Sequence, residues 1–203
     1  MVAQYDSNAD KTYYVIEGNK LLDSKPNVDG TPYLYPFMNA KVKDVAGVTK
    51  MRYNAYNDEV EYQTENGDLA LLKQPKFGDI YFTEYDLHLK LVNYNYNNAT
   101  ITGYLFELVD KPNLKIYKRE HINYYDAKTA RNSYDAGSPP SFKVAEPVYF
   151  IQKNGGPITE LPSNKKKLIA LFPDKKEAII QYFKNNKGDF SKKNDLEKLA
   201  DIL

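Results

Sequence analysis

The sequence predicts a β-rich α+β protein: an antiparallel β-barrel or sandwich followed by a C-terminal three-helix tail. Three observations carry that prediction. From Lys41 to Lys118 apolar and polar residues alternate with a period of two. Turn signals such as Asn66-Gly67 and Lys111-Pro112-Asn113 divide the alternating runs. After Pro162 the apolar period becomes helical. The organisation expected is a β body over 1–162, with an N-terminal arm and a long loop at 126–142, and a helical tail over 163–203 docked on it.

Residues 1–40 hold one short apolar run, Tyr13 to Ile16, which reads as an edge strand. Pro26, Asp29-Gly30, Pro32 and Pro36 then oppose any helix, so this segment reads as an arm packed over the body. Met51, Tyr53 and Ala55 alternate with Arg52 and Asn54, and Val60 and Tyr62 alternate with Glu59 and Glu61. Asn66-Gly67 before Leu69 and Leu71 is a tight-hairpin signal, because a type I′ turn needs positive φ at both central residues. Further strands are expected at Ile80 to Glu84, Leu87 to Asn93, Thr100 to Val109 and Leu114 to His121. Short links between them favour antiparallel neighbours. Residues 126–142 lack periodicity and contain Gly137-Ser138-Pro139-Pro140, which predicts an exposed loop before a strand at Val148 to Gln152.

In the tail, Ser163 is placed to cap a helix carrying Leu168, Ile169, Leu171 and Phe172, ended by Pro173. Asp174 and Glu177 have capping-box spacing ahead of Ile179, Ile180, Tyr182 and Phe183, and Gly188 fits just past that helix. Ser191 opens a third helix with Leu196, Leu199, Ala200 and Leu203 on one stripe. The tail has ten Lys against six acids. Lysines opposite an apolar stripe are what a helix docked on a body presents.

Composition narrows the chemistry. With 28 Lys plus Arg against 27 Asp plus Glu, there is no bias toward nucleic acid, and no nucleic-acid partner is expected. No apolar run approaches the roughly 18–20 residues of a transmembrane helix. Cysteine is absent, which removes disulfides, thiolate metal sites and cysteine nucleophiles. There is no phosphate-binding glycine loop, no G-x-S-x-G elbow and no H-E-x-x-H. His88 alternates with Leu87 and Leu89, and His121 ends a strand; both read as solvated, and neither has a ligand set beside it. Asp58, Glu59, Glu61, Asp86 and Asp110 match no calcium loop. No metal, cofactor or catalytic residue is expected.

The run RYNAYNDEVEY sets Asp58 beside Glu59 among three tyrosines. Adjacent strand residues point to opposite faces, so two neighbouring acids do not converge on one bond. Asn57-Asp58 reads instead as the tip of a hairpin. This run resembles a segment of uncharacterised exported proteins of Bacteroidota, in which an Arg-Tyr-Asn strand precedes an Asp-Glu corner and an aromatic strand. The tail, with LFPDKK between two helices, is similar to theirs too. The resemblance covers about half the chain and leaves roughly 75–140 unmatched. It implies a cell-envelope location, periplasmic or outer-membrane associated, and brings no activity or catalytic residues with it. The N-terminus MVAQYDSNAD lacks a basic n-region and an apolar h-region, so it reads either as a mature start behind an added Met1 or as a cytoplasmic start.

The unusual count is 19 Tyr with no Trp. Tyr suits half-buried strands and also binding surfaces. Tyr94, Asn95 and Tyr96, with Tyr124, Tyr125 and Tyr134 in or near the loop, form the candidate binding set. Rigid rings and adaptable amides are the chemistry of recognition surfaces, and equally of rings covering the ends of a barrel. The function expected is a non-enzymatic envelope protein acting through protein interactions, as an accessory subunit of a larger complex. The alternatives are a β-barrel binding carbohydrate or another small ligand at its mouth, and a hydrolase with carboxylates from separate strands.

Overall fold

The computed structural model describes residues 2–4, 13–16, 28–65, 67–130, 136–185 and 193–203. The chain divides into two compact units, Met1–Leu91 with Glu120–Pro147, and Val92–Arg119 with Val148–Leu203. The helical tail falls in the second unit with the later strands.

The strands of the first unit are β1 (Val2–Gln4), β2 (Tyr13–Ile16), β3 (Met38–Val42), β4 (Thr49–Asn54), β5 (Glu59–Thr64), β6 (Gly67–Leu71) and β7 (Asp79–Phe82). β8 (Leu87–Tyr96) begins there and runs into the second unit. The order is β1-β2-β6-β5-β4-β3-β7-β8, with each described pairing antiparallel. Period-two alternation does the sorting. Met38, Ala40, Met51, Tyr53, Val60, Ile80, Phe82 and Leu89 are all buried, while their neighbours Arg52, Glu59, Glu61 and Tyr81 face outward.

Several boundaries differ from expectation. β2 has the expected bounds but lies between β1 and β6, so it is not an edge. Met38 to Val42 is a strand between β4 and β7, not the end of an arm. Thr64 pairs with Gly67, so the β5–β6 connection is residues 65 and 66, one place earlier than an Asn-Gly centre would put it. Gly67 carries the positive φ, 119°, that a side chain rarely adopts; Asn66 lies outside the described residues.

Residues ahead of β3 are tied down along the same unit. Ala55 donates its N–H to Pro32, and Asp29 is bridged in parallel to Ser141. Gly30, at φ 78°, passes so close that a Cβ there would stand 2.6 Å from the Phe142 carbonyl oxygen. A separate ribbon pairs β11 (Ile122–Tyr125) with β12 (Ser141–Val144). The expected loop at 126–142 therefore ends at 140, and a Lys128–Ser138 bridge closes it further.

In the second unit, β9 (Ala99–Lys111), β10 (Leu114–Arg119), β13 (Val148–Lys153) and β14 (Ile158–Glu160) join β8 in a closed five-stranded barrel. β8, β9, β10, β13 and β14 follow one another around it, and a parallel β14–β8 contact at Ile158–Tyr94 closes the ring. An odd number of meandering strands makes first and last parallel. The lumen is filled by Tyr94, Leu105, Tyr117, Phe150 and Ile158, as side chains fill any barrel this small.

Three helices follow: α1 (Lys165–Leu171), α2 (Lys176–Asn185) and α3 (Lys193–Ile202). Asn164, not Ser163, caps α1, accepting the Lys166 N–H at 2.8 Å. Pro173 opens a 3₁₀ turn leading into α2. Gly188 and Ser191 lie outside the described residues. Leu168, Phe172, Ile179, Tyr182, Leu196, Leu199 and Ala200 share one apolar cluster with Val109, Leu114, Ile116 and Ile151 of the barrel. Two barrel lysines hold helix C-termini, where unsatisfied carbonyls attract cations. Lys111 Nζ reaches the Ala200 carbonyl at 2.8 Å, and Lys153 Nζ reaches that of Leu171 at 2.9 Å.

Candidate functional site

The Asp-Glu corner is structural. β4 and β5 pair through Asn54–Glu59, leaving residues 55–58 as the turn, with Asp58 at φ 56°. The buried Asn54 side chain accepts the N–H groups of Tyr56 and Asn57. Asp58 takes the Tyr53 hydroxyl at 2.8 Å and the Lys73 ammonium at 2.7 Å. Burial holds the Glu59 carboxyl above its ordinary range; Lys73 opposes that shift and Glu61 adds to it.

Glu61 is the hub. It accepts Arg52 Nε at 2.9 Å, Asn54 Nδ2 at 2.9 Å and the Tyr33 hydroxyl at 3.0 Å. The Arg52 guanidinium lies 3.5 Å from the Tyr33 ring centroid and 4.2 Å from that of Phe37. The other acids considered from the sequence are also engaged, Asp86 with the Tyr81 hydroxyl and Asp110 with Lys115.

The histidines are not simply solvated. His88 Nε2 lies 2.5 Å from Asp79 Oδ1, and Lys90 Nζ lies 2.7 Å from Asp79 Oδ2. Burial works against the charge on Asp79, but hydrogen bonds from Lys90 and His88 outweigh it and hold the carboxyl below its ordinary range. His121 Nδ1 faces the Ala55 carbonyl oxygen at 3.1 Å. Among the described residues no group of three or more His, Asp or Glu is placed to hold a metal ion.

The structure separates the six residues of the candidate binding set. Tyr94 is 2% exposed, in T-shaped contact with Phe150 inside the barrel, so it is core and not a recognition ring. Strand alternation then turns Asn95 outward and leaves Tyr96 half-buried against Phe150, with the Arg119 guanidinium 5.3 Å from its ring centroid. Asn95 and Tyr96 do come together, with Asn97, Asn98, Ala99, Thr100 and Glu160, around an open concavity of about 550 Å³.

The other members belong to the first unit. Tyr124 packs against Phe142 at 5.2 Å and Tyr56 at 6.3 Å, an aromatic cluster under the β11–β12 ribbon. Tyr125 is exposed beside Lys143, whose Nζ lies 5.5 Å from the ring centroid. Tyr134 lies outside the described residues.

Sequence reasoning passed over the turn itself. β8 ends at Tyr96 and β9 begins at Ala99, so Asn97 and Asn98 form a two-residue connection with φ 51° and 61°. That is the type I′ geometry expected at Asn66-Gly67, and an Asn-Asn pair between two runs was its signal. Glu160 had no such signal, because only the β14–β8 contact brings it to the hairpin. Comparison with family models, with curated proteins and with solved structures finds no match.

Proposed function

We propose that this chain is a non-enzymatic cell-envelope protein that acts through its surface, as a protein-interaction or accessory subunit of a larger complex. The observation that carries this reading is a barrel whose lumen holds the buried cluster Tyr94, Leu105, Tyr117, Phe150 and Ile158. A filled lumen argues against a ligand held inside the barrel. Asp58 and Glu61 of the corner are engaged by Lys73 and Arg52, which speaks against those two as a hydrolase pair.

What the chain presents is amphipathic surface. Tyr125 and Val144 are exposed at 47% and 68% on the β11–β12 ribbon beside Lys143. Rings with adjacent cations suit protein recognition. The resemblance to exported Bacteroidota proteins supports the envelope placement, periplasmic or outer-membrane associated.

The test is co-purification after mild cross-linking of the native protein from its own envelope fraction. A discrete partner is expected, with capture reduced by Tyr125→Ser combined with Val144→Ser. Recovery of the uncomplexed chain from the cytoplasmic fraction would refute the reading.

A further inference from the structure

We propose that the tip of the β8–β9 hairpin, with Glu160 beside it, is a binding site for a neutral saccharide. This site lies at the rim of the barrel and does not depend on the accessory-subunit reading.

The turn accounts for asparagine at its two central positions, because Asn adopts positive φ more readily than other side chains; what the turn leaves unassigned is the use of the two side-chain amides. Asn97 and Asn98 occupy both positions at φ 51° and 61°, and both residues line the concavity. Behind them the outward faces of the two strands carry a ladder of amides and hydroxyls. Thr100 Oγ1 donates to Asn95 Oδ1 at 2.9 Å, and Thr102 Oγ1 donates to Asn93 Oδ1 at 2.6 Å. Of these, Thr100 and Asn95 line the concavity, and the Thr100 hydroxyl uses its proton on the amide oxygen, leaving the Asn95 N–H donors and the hydroxyl lone pairs for a ligand.

Such a set suits vicinal hydroxyls, each of which needs both a donor and an acceptor. Glu160 adds a carboxylate able to accept from two hydroxyls, and Tyr96, half-buried against Phe150, stands at the edge of the concavity. Among the described residues the lining has no Lys or Arg and its carboxylate repels a phosphate or uronate, while the nearby Arg119 guanidinium lies against the Tyr96 ring. One carboxylate is also too few for a calcium cage. The concavity, about 550 Å³ and widely open to solvent, suits internal units of a chain rather than an enclosed monosaccharide.

The test uses the full chain, isotopically labelled, with the Asn side-chain amides followed by NMR. It is titrated with neutral gluco-oligosaccharides, with N-acetylglucosamine oligomers and with a uronate-containing oligosaccharide. Saturable shifts at Asn95, Asn97 and Asn98 are expected with a neutral sugar and not with the uronate. Asn98→Gly keeps the turn and deletes the amide; it and Glu160→Gln should each weaken binding about tenfold, the loss expected for one hydrogen bond. An unchanged melting midpoint for Asn98→Gly shows that the loss is not unfolding. The proposal is overturned by any of three results: no shifts with either neutral sugar up to about 20 mM, a weakness below any useful affinity; equal affinity in Asn98→Gly; or preference for the uronate. Loss of a co-purifying protein in Asn98→Gly, without sugar-induced shifts, also overturns it and makes the tip a protein contact.

Discussion

Removing the Arg52 side chain should be among the most damaging single changes to the first unit. The Arg52 and Glu61 side chains are only 15% and 13% exposed, so water screens their attraction weakly. Arg52→Leu takes two charged donors from the Glu61 carboxylate, Nε at 2.9 Å and Nη2 at 2.8 Å, and leaves it only Tyr33 and Asn54. Breaking a fully buried pair from one side costs about 3–5 kcal/mol, because the remaining charge is stranded, and this part-buried pair falls at or below the low end of that range. Losing the guanidinium between the Tyr33 and Phe37 rings adds about 0.5–1 kcal/mol. Residual solvent access and the neutral donors offset part of this, so about 3 kcal/mol is the expected net loss.

The same geometry fixes the double mutant. Replacing both partners by Leu removes the stranded charge with its cause, so Arg52→Leu/Glu61→Leu should be less damaging than the sum of the single changes. A coupling of about 2 kcal/mol is expected for a contact pair in one buried network. The assay is urea unfolding followed by circular dichroism across the four-member cycle. A coupling below about 0.5 kcal/mol would place this pair with exposed ion pairs, and the corner would need another explanation for its order.

Leu199→Ala should cost about 2–5 kcal/mol, since Leu199 is fully buried between the helices and the barrel; a change within about 0.5 kcal/mol would mean that the tail is not part of that core. Asp79→Asn should flatten the acid limb of the stability profile. The depressed Asp79 carboxyl contributes fully above its ordinary value of about 4, and that contribution is lost as pH falls through the folded value. Parallel wild-type and Asp79→Asn profiles below about pH 4 would refute it. At high pH, burial, then Glu120 and Tyr85, push the Tyr35 phenol up to about 12. Its stabilising contribution is complete below about 10 and lost as pH rises through the folded value. Ultraviolet titration should therefore leave a protonated tyrosine fraction near pH 11 that urea abolishes, whereas superimposable native and urea curves would count against the burial of Tyr35 and Tyr117.

Local pattern made most of the strands legible. Alternation through Met51, Tyr53, Val60 and Tyr62 needs only a pleat and one buried face, and β4 and β5 follow it residue by residue. The helical stripes were legible for the same reason: Leu168, Ile179, Leu196 and Leu199 are buried where the 3.6 period puts them. Turns were less so. Asn-Gly and Asn-Asn both satisfy positive φ, and the sequence does not rank one pair above the other. What no local pattern encodes is closure. Barrel and sandwich use the same alternation, and the choice rests on Ile158 meeting Tyr94 across more than sixty residues of chain.

That closure decided the candidate site as well. On an open sheet, Tyr94, Asn95 and Tyr96 would alternate between two accessible faces. Closing β8 against β14 makes one of those faces the lumen, which turns Tyr94 into core and leaves Tyr96 at its edge. Closure also carries Glu160 to the Asn97-Asn98 turn, because parallel strands bring their C-terminal ends to the same rim. A carboxylate thereby joins four neighbouring polar residues of the hairpin without any sequence motif. If closure is what builds the site, Ile158→Asp, placed in the seam, should abolish saccharide shifts and lower the melting midpoint together, whereas Glu160→Gln should weaken binding and leave the midpoint in place. Saccharide binding that survived an opened seam would mean that the hairpin alone suffices.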